Sequence, residues 1–159
     1  MKPIAYVARL NEFYRSQGFP AYQWTVNETA PLTALKRPLN RCRVAMLTSG
    51  GVSRKDAPPF NPQARNDLRV DSIDQDTSPH FFAINDDYYN HSDAQRDISC
   101  IFPIERLREL EAEKAIGRLA EDHYGFGLMG SARKLLPAMR EVARRIRESG
   151  ADLALLVPA

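Results

Sequence analysis

The sequence is poor in the residues that most readily identify a chemistry. Only two cysteines, Cys42 and Cys100, occur in 159 residues, too few for a disulfide scaffold and without a metal-ligand spacing. The three histidines, His80, His91 and His123, lie eleven and thirty-two residues apart, so a metal site would have to be assembled by the fold. No run approaches the ~18 apolar residues of a membrane span, and the N-terminus lacks a signal-peptide pattern. The formal net charge is only +2, with both signs mixed along the chain, which excludes the basic stripe of a nucleic-acid binder. Neither G-x-G-x-x-G nor G-x-x-x-x-G-K-S/T occurs. These absences leave, as expectations, one cytoplasmic α/β domain with reduced thiols and no metal or cofactor. Nucleic-acid and membrane partners are not expected either.

What is present centres on Arg43–Val52. Val44–Leu47 form an unbroken apolar run, and Thr48-Ser49-Gly50-Gly51 follow at once. A short apolar run closed by glycine fits a strand buried on both faces of a parallel sheet. The turn then lies at the carboxyl end of that strand, where open α/β sheets bind ligands. Backbone N–H groups and two hydroxyls there could hold an anion; a tight turn needing a left-handed glycine explains the same residues.

Around this strand the chain divides readably. Ile4, Val7, Ala8 and Phe13 share a helix face in residues 4–16, and residues 19–41 read as an irregular, proline-marked arm. Residues 53–80 hold four prolines, five aspartates and no glycine, and read as a long loop with Leu68-Arg69-Val70 as its only strand fragment. His80–Ile84 reads as a strand and Tyr88–Asp97 as a polar crossing. Pro103 suits the first position of a helix with Ile104, Leu107 and Leu110 on one face, closed by Gly117. The stretch 123–130 is too glycine-rich for a regular strand interior. A last helix lies within Ser131–Ser149, complicated by Pro137, with Gly150 as its stop. Leu153–Val157 is a second buried-type strand, completing a βαβ unit. The expected fold is a three-layer α/β sandwich around a mainly parallel, Rossmann- or flavodoxin-like sheet.

Among titratable residues, His91 with Asp93 and Asp97 in the polar crossing, and His123 with Tyr124, are candidates for acid–base work. Loop capping is the commoner explanation of the first group, and a packed tyrosine of the second. Cys100, just before a helix, has a possible lowered pKa but no nearby thiol. Arg140, Arg144 and Arg147 form a basic stripe that a solvated helix face accounts for.

Several separated blocks then carry a resemblance. Pro31–Leu39 (Pro-Leu-x-x-Leu-Lys-Arg-Pro-Leu) leads into Arg43–Val52, and Asp93–Ile98, Phe102–Leu110 and His123-Tyr124 follow in order. Together they resemble the selenoprotein B family of glycine/sarcosine/betaine reductases and the related D-proline reductase subunits. The resemblance implies reductive cleavage of a C–N bond in an amino acid or its N-methylated relative, with thiols as electron donor. It also implies a selenocysteine or cysteine after the strand that follows the last helix. Here that strand is Leu153–Val157 and the sequence given ends at Ala159. Neither cysteine takes that place, so no redox residue is carried over. This ending suits a gene read to a selenocysteine codon, a shortened chain or a short homologue alike.

The resulting expectation is a reductase, or reductase subunit, inactive alone. Thr48, Ser49, Gly50, Gly51, Asp97 and Tyr124 would bind a small amino-acid-like substrate, and His91 or His123 would move a proton. The rivals are a non-catalytic subunit and a small-ligand-binding α/β domain. Homo- or hetero-oligomerisation, with a partner reductase subunit, is expected because an uncovered apolar terminal strand invites association.

Overall fold

The computed structural model describes residues 5–21, 26, 28–29, 33–61, 67–127 and 132–159. It divides into two compact units, residues 1–34 and 35–159. The first contains helix α1 (Tyr6–Ser16). The expected helix over residues 4–16 therefore appears, apart from Ile4, which lies outside the described residues.

The second unit is built on strand β1 (Arg43–Thr48). Strand β7 (Leu153–Val157) runs parallel to it along one edge, from Val44 opposite Leu153 to Thr48 opposite Val157. Its other edge is shared by β5 (Arg118–Leu119) and β6 (Asp122–Phe126), both parallel to it. Strand β3 (Val70–Asp74) closes that side antiparallel to β6, so the sheet is mixed. A second, two-stranded sheet pairs β2 (Val52–Arg54) with β4 (Phe82–Ile84) antiparallel. Helices α2 (Ser92–Arg96), α3 (Ile104–Ala112) and α4 (Ala132–Glu148) complete the unit.

Alternation places Val44 and Met46 on one face of β1, where they join the main apolar cluster. Ile73, Phe82, Phe102, Ile104 and Leu107 belong to the same cluster, and Leu153 and Val157 pack against it. The Phe102 ring meets Phe82 edge-on at 5.1 Å between centroids, a favoured aromatic geometry. Gly125 is required by packing: a Cβ there would strike the carbonyl oxygen of Val52, so β2 crosses close above β6 only because the side chain is missing.

Several expectations are corrected. Residues 53–80 are not one loop, because β2 takes Ser53 and Arg54 and β3 begins at Val70. The described part is tied down by Arg69, whose guanidinium lies 4.2 Å from the centre of the buried Phe60 ring. The same side chain donates to the Pro58 carbonyl at 2.6 Å. The strand expected at 80–84 shrinks to β4, since Pro79–Phe81 form a 3-10 turn. Helix α3 stops at Ala112 rather than near Gly117, with Lys114 at φ 59° turning the chain. Pro137 lies inside α4. The glycine-rich stretch does contain a strand, β6, although Leu128–Gly130 lie outside the described residues.

Replacing Phe102 by Ala would empty a fully buried site in contact with two aromatic partners. Chemical denaturation should show a loss of about 3–5 kcal/mol; a loss below ~1 kcal/mol would mean that this ring does not organise the core.

Candidate functional site

The turn after β1 is held by its own hydrogen bonds. The Ser49 N–H donates to the Val157 carbonyl at 3.2 Å, and the Gly51 N–H donates to the Phe126 carbonyl at 3.0 Å. The Gly50 N–H donates to Thr48 Oγ1 at 3.1 Å. Thr48 is itself buried, and its hydroxyl donates to the Ile101 carbonyl at 2.7 Å. The N–H groups of Ser49, Gly50 and Gly51, expected to cradle an anion, are therefore used inside the protein. Gly51, at φ +66°, lets the chain turn back beneath Asn85 and Asp86, where a Cβ would meet Asp86 Cβ at 2.8 Å.

The turn instead forms one wall of a cavity of about 240 Å³ lined by Ser49, Asp86, Tyr88, Tyr89, Phe126, Gly127 and Ala159. This is the carboxyl edge of the parallel strands, the position the topology favours for a ligand. The Ser49 hydroxyl accepts from the Ala159 N–H at 3.1 Å. Asp86 is buried, and its carboxylate accepts from the Tyr88 N–H at 2.8 Å. Tyr89 donates its hydroxyl to the Gly50 carbonyl at 2.9 Å. Burial, and then the nearby Asp86 charge, push that phenol up to about 12, so it stays a donor at neutral pH. A buried carboxylate among three aromatic rings offers a cation both a counter-charge and ring faces.

The expected site residues separate into groups. Ser49 lines the cavity, while Thr48, Gly50 and Gly51 build its wall. His91 is half-buried at the start of α2, with its ring edge-on to Tyr89 at 5.6 Å. Its Nδ1 has no hydrogen-bond partner among the described residues. Asp97 points elsewhere: it caps the 3-10 turn Ile98–Cys100 by accepting from the Ser99 N–H at 2.9 Å. Those Ser99 hydrogen bonds hold its carboxyl below the usual range. Asp97 also lines a second cavity of about 400 Å³, with Lys55, His80 and Glu105. Tyr124 is buried in β6, where desolvation raises its phenol.

His123 is wholly buried and lines neither cavity. Between Val44–Leu119 and Leu47–Tyr124 the neighbouring chain advances five residues for three on β1, so the ladder is interrupted. The Met46 N–H falls in the gap and donates to His123 Nδ1 at 3.0 Å. An imidazole thus stands in for a missing backbone carbonyl. Desolvation, then the charge of Arg108, push His123 down to about 4, with Asp122 and Asp74 opposing. It is a neutral structural acceptor at physiological pH.

Sequence reading overlooked Asp86, Tyr88, Tyr89 and Phe126. The cluster Asn85-Asp86-Asp87-Tyr88-Tyr89 immediately after an apolar strand was the available signal. Its meaning depended on the β2–β4 pairing that delivers it to the end of β1.

The fold and cavity define an α/β protein with a small ligand-sized recess at the carboxyl edge of its parallel strands. Comparison with known proteins gives the family: the description "Glycine/sarcosine/betaine reductase selenoprotein B (GRDB)" matches residues 12–158, and the chain belongs to this family. The D-proline reductase subunit gamma of Acetoanaerobium sticklandii is similar, at 33% identity over 126 residues covering 78% of this chain. The match takes in 51% of that relative, so the chain spans about half its length. No solved structure matches. Among the described residues, no helix is long and apolar enough to cross a membrane.

His123 generates a pH prediction. Its folded pKa, about 4, lies below the ordinary 6.5, so the unfolded chain binds the extra proton first. Its effect should be absent above about pH 6.5, grow as pH falls towards 4 and level off below, removing on the order of 3 kcal/mol. His123→Gln, which retains an acceptor for Met46, should lose this pH-dependent component when denaturation midpoints are compared across that range. His123→Ala should cost at least ~1–3 kcal/mol at pH 7, because the Met46 N–H is left buried and unpaired.

Proposed function

We propose that this chain is a substrate-holding portion of a thiol-dependent reductase that cleaves the C–N bond of an amino acid or an N-methylated amino acid. The observation carrying this reading is the pairing of buried Asp86 with Tyr88, Tyr89 and Phe126 around one small cavity. An ammonium or methylated ammonium group is stabilised by both the carboxylate and the ring faces. The Ser49 hydroxyl at the rim would donate a hydrogen bond to the substrate carboxylate. Such an arrangement reverses the simplest expectation for the turn: its backbone donors shape the wall, and the recess selects for the positive end of the substrate.

Cleavage also needs a nucleophile. Cys42 is buried against the carbonyls of Arg37 and Pro38, at 3.5 and 3.4 Å from its sulfur. Cys100 is exposed and lines neither cavity described above. The attacking thiolate or selenolate therefore comes from outside the described residues. It would displace the amine from the α-carbon, and a thiol donor would then supply the two electrons that release the reduced product. His91, one ring away through Tyr89, is the nearest imidazole for protonating the departing amine. Without the redox group, this chain should bind and not turn over.

Titration calorimetry with glycine, sarcosine, betaine and proline tests the reading. Saturable binding of at least one is expected, with a loss of about tenfold or more in Asp86→Asn. No consumption is expected with dithiothreitol alone. Failure of all four to bind, or equal affinity in the Asp86 variant, would overturn it.

A further inference from the structure

The cavity of about 400 Å³ is separate from the recess at Asp86 and is built entirely from residues between Lys55 and Glu105. Three segments meet around it: the end of the β2–β4 ribbon, helix α2 with the turn that follows, and the first turn of α3. The Lys55 N–H donates to the Phe81 carbonyl at 2.7 Å, one step beyond the Arg54–Phe82 pair. The ribbon thus carries the Lys55 side chain to the cavity wall. The floor is apolar. Phe82 and Ala94 are buried, and the half-buried Ile84 and Ile98 pack against the main cluster.

Around that floor stand two cationic side chains, Lys55 and Arg96, and two anionic ones, Asp97 and Glu105. A lining balanced in this way favours neither a simple anion nor a simple cation. Two of the four charges are engaged within the protein. Arg96 pairs with Asp93 at 3.2 Å, and Asp97 caps its turn through the Ser99 N–H. The other two are not. Lys55 donates to the His80 carbonyl at 2.7 Å and has no carboxylate partner among the described residues. The Glu105 carboxylate has neither a hydrogen bond nor an ion pair among them. One free charge of each sign therefore faces the same cavity, from the ribbon and from α3, without pairing with the other.

We propose that this cavity binds a short zwitterionic peptide of about two apolar residues, the size class that cavities of this volume enclose. Its carboxylate would sit on Lys55, its terminal ammonium on Glu105, and its side chains on the floor of Phe82, Ile84 and Ile98. Such a ligand supplies each unpaired charge with a counter-charge and covers apolar surface between them. The recess beside Ser49, at about 240 Å³, has room for less.

Titration calorimetry with leucyl-leucine, its N-acetyl form and its C-terminal amide tests the assignment on the unaltered chain. Leucyl-leucine should bind saturably and shift the methyl resonances of Ile84 and Ile98. The acetylated form lacks the ammonium and the amide lacks the carboxylate, so each should bind about tenfold more weakly or worse. Glu105→Gln should weaken leucyl-leucine by a similar factor and leave the acetylated form unaffected. Lys55→Met should likewise weaken leucyl-leucine and leave the amide unaffected. Asp86→Asn should not change leucyl-leucine binding, which separates this site from the recess beside Ser49. Absence of binding, binding that leaves both methyl groups unmoved, or binding indifferent to the loss of either charged end would overturn the proposal. So would equal affinity for free leucine, or loss of leucyl-leucine binding in Asp86→Asn.

Discussion

A strand with neighbours along both edges cannot leave its peptide groups unpaired, and β1 meets that demand in an unusual way. One edge is satisfied regularly by β7. The other is shared by two short strands whose register breaks between Leu119 and Tyr124, leaving the Met46 N–H without a carbonyl opposite it. His123 closes the gap through Nδ1. The backbone amide is thereby satisfied, while the other ring nitrogen, Nε2, is buried without a hydrogen-bond partner among the described residues. The same imidazole packs edge-on to Phe102 at 6.4 Å, so the hydrogen-bond repair and the apolar core are one construction.

From that fixed strand the recess follows. Thr48 anchors the turn to Ile101, Gly51 brings Asn85 and Asp86 underneath, and Tyr89 locks onto the Gly50 carbonyl. The polar atoms of Thr48 and Gly50 are thus spent on positioning, and Asp86, Ser49 and the rings line the recess. The chain belongs to the selenoprotein B family of reductases and spans about half the length of the relative it matches.

The legibility of the sequence differed between fold and site for a physical reason. The run Val44–Leu47 announced a central strand because burial on both faces leaves no room for alternation, whereas Leu153–Val157, read as buried in the same way, forms a parallel strand whose residues 154–156 are exposed. Helix α3 was readable from Ile104 and Leu107 at helical spacing. By contrast β5 is two residues long, and β2 and β4 are three each, too short for periodicity to register. The Thr48–Gly51 turn was found, yet its role differed from that expected, because hydrogen-bond partners such as Phe126 and Val157 lie far away in sequence.

The residues themselves determined the class of protein, the central strand, the terminal strand and the family blocks, since these depend on local composition and spacing. Only tertiary structure decided that His123 repairs a ladder, that Asp97 caps a turn away from the recess, and that Asp86 with three rings faces Ser49. Each of those roles is a relation between segments tens of residues apart, created when β2 and β4 fold across the end of β1 and β6 slips its register. Local sequence carries no record of such a meeting until the chain is closed.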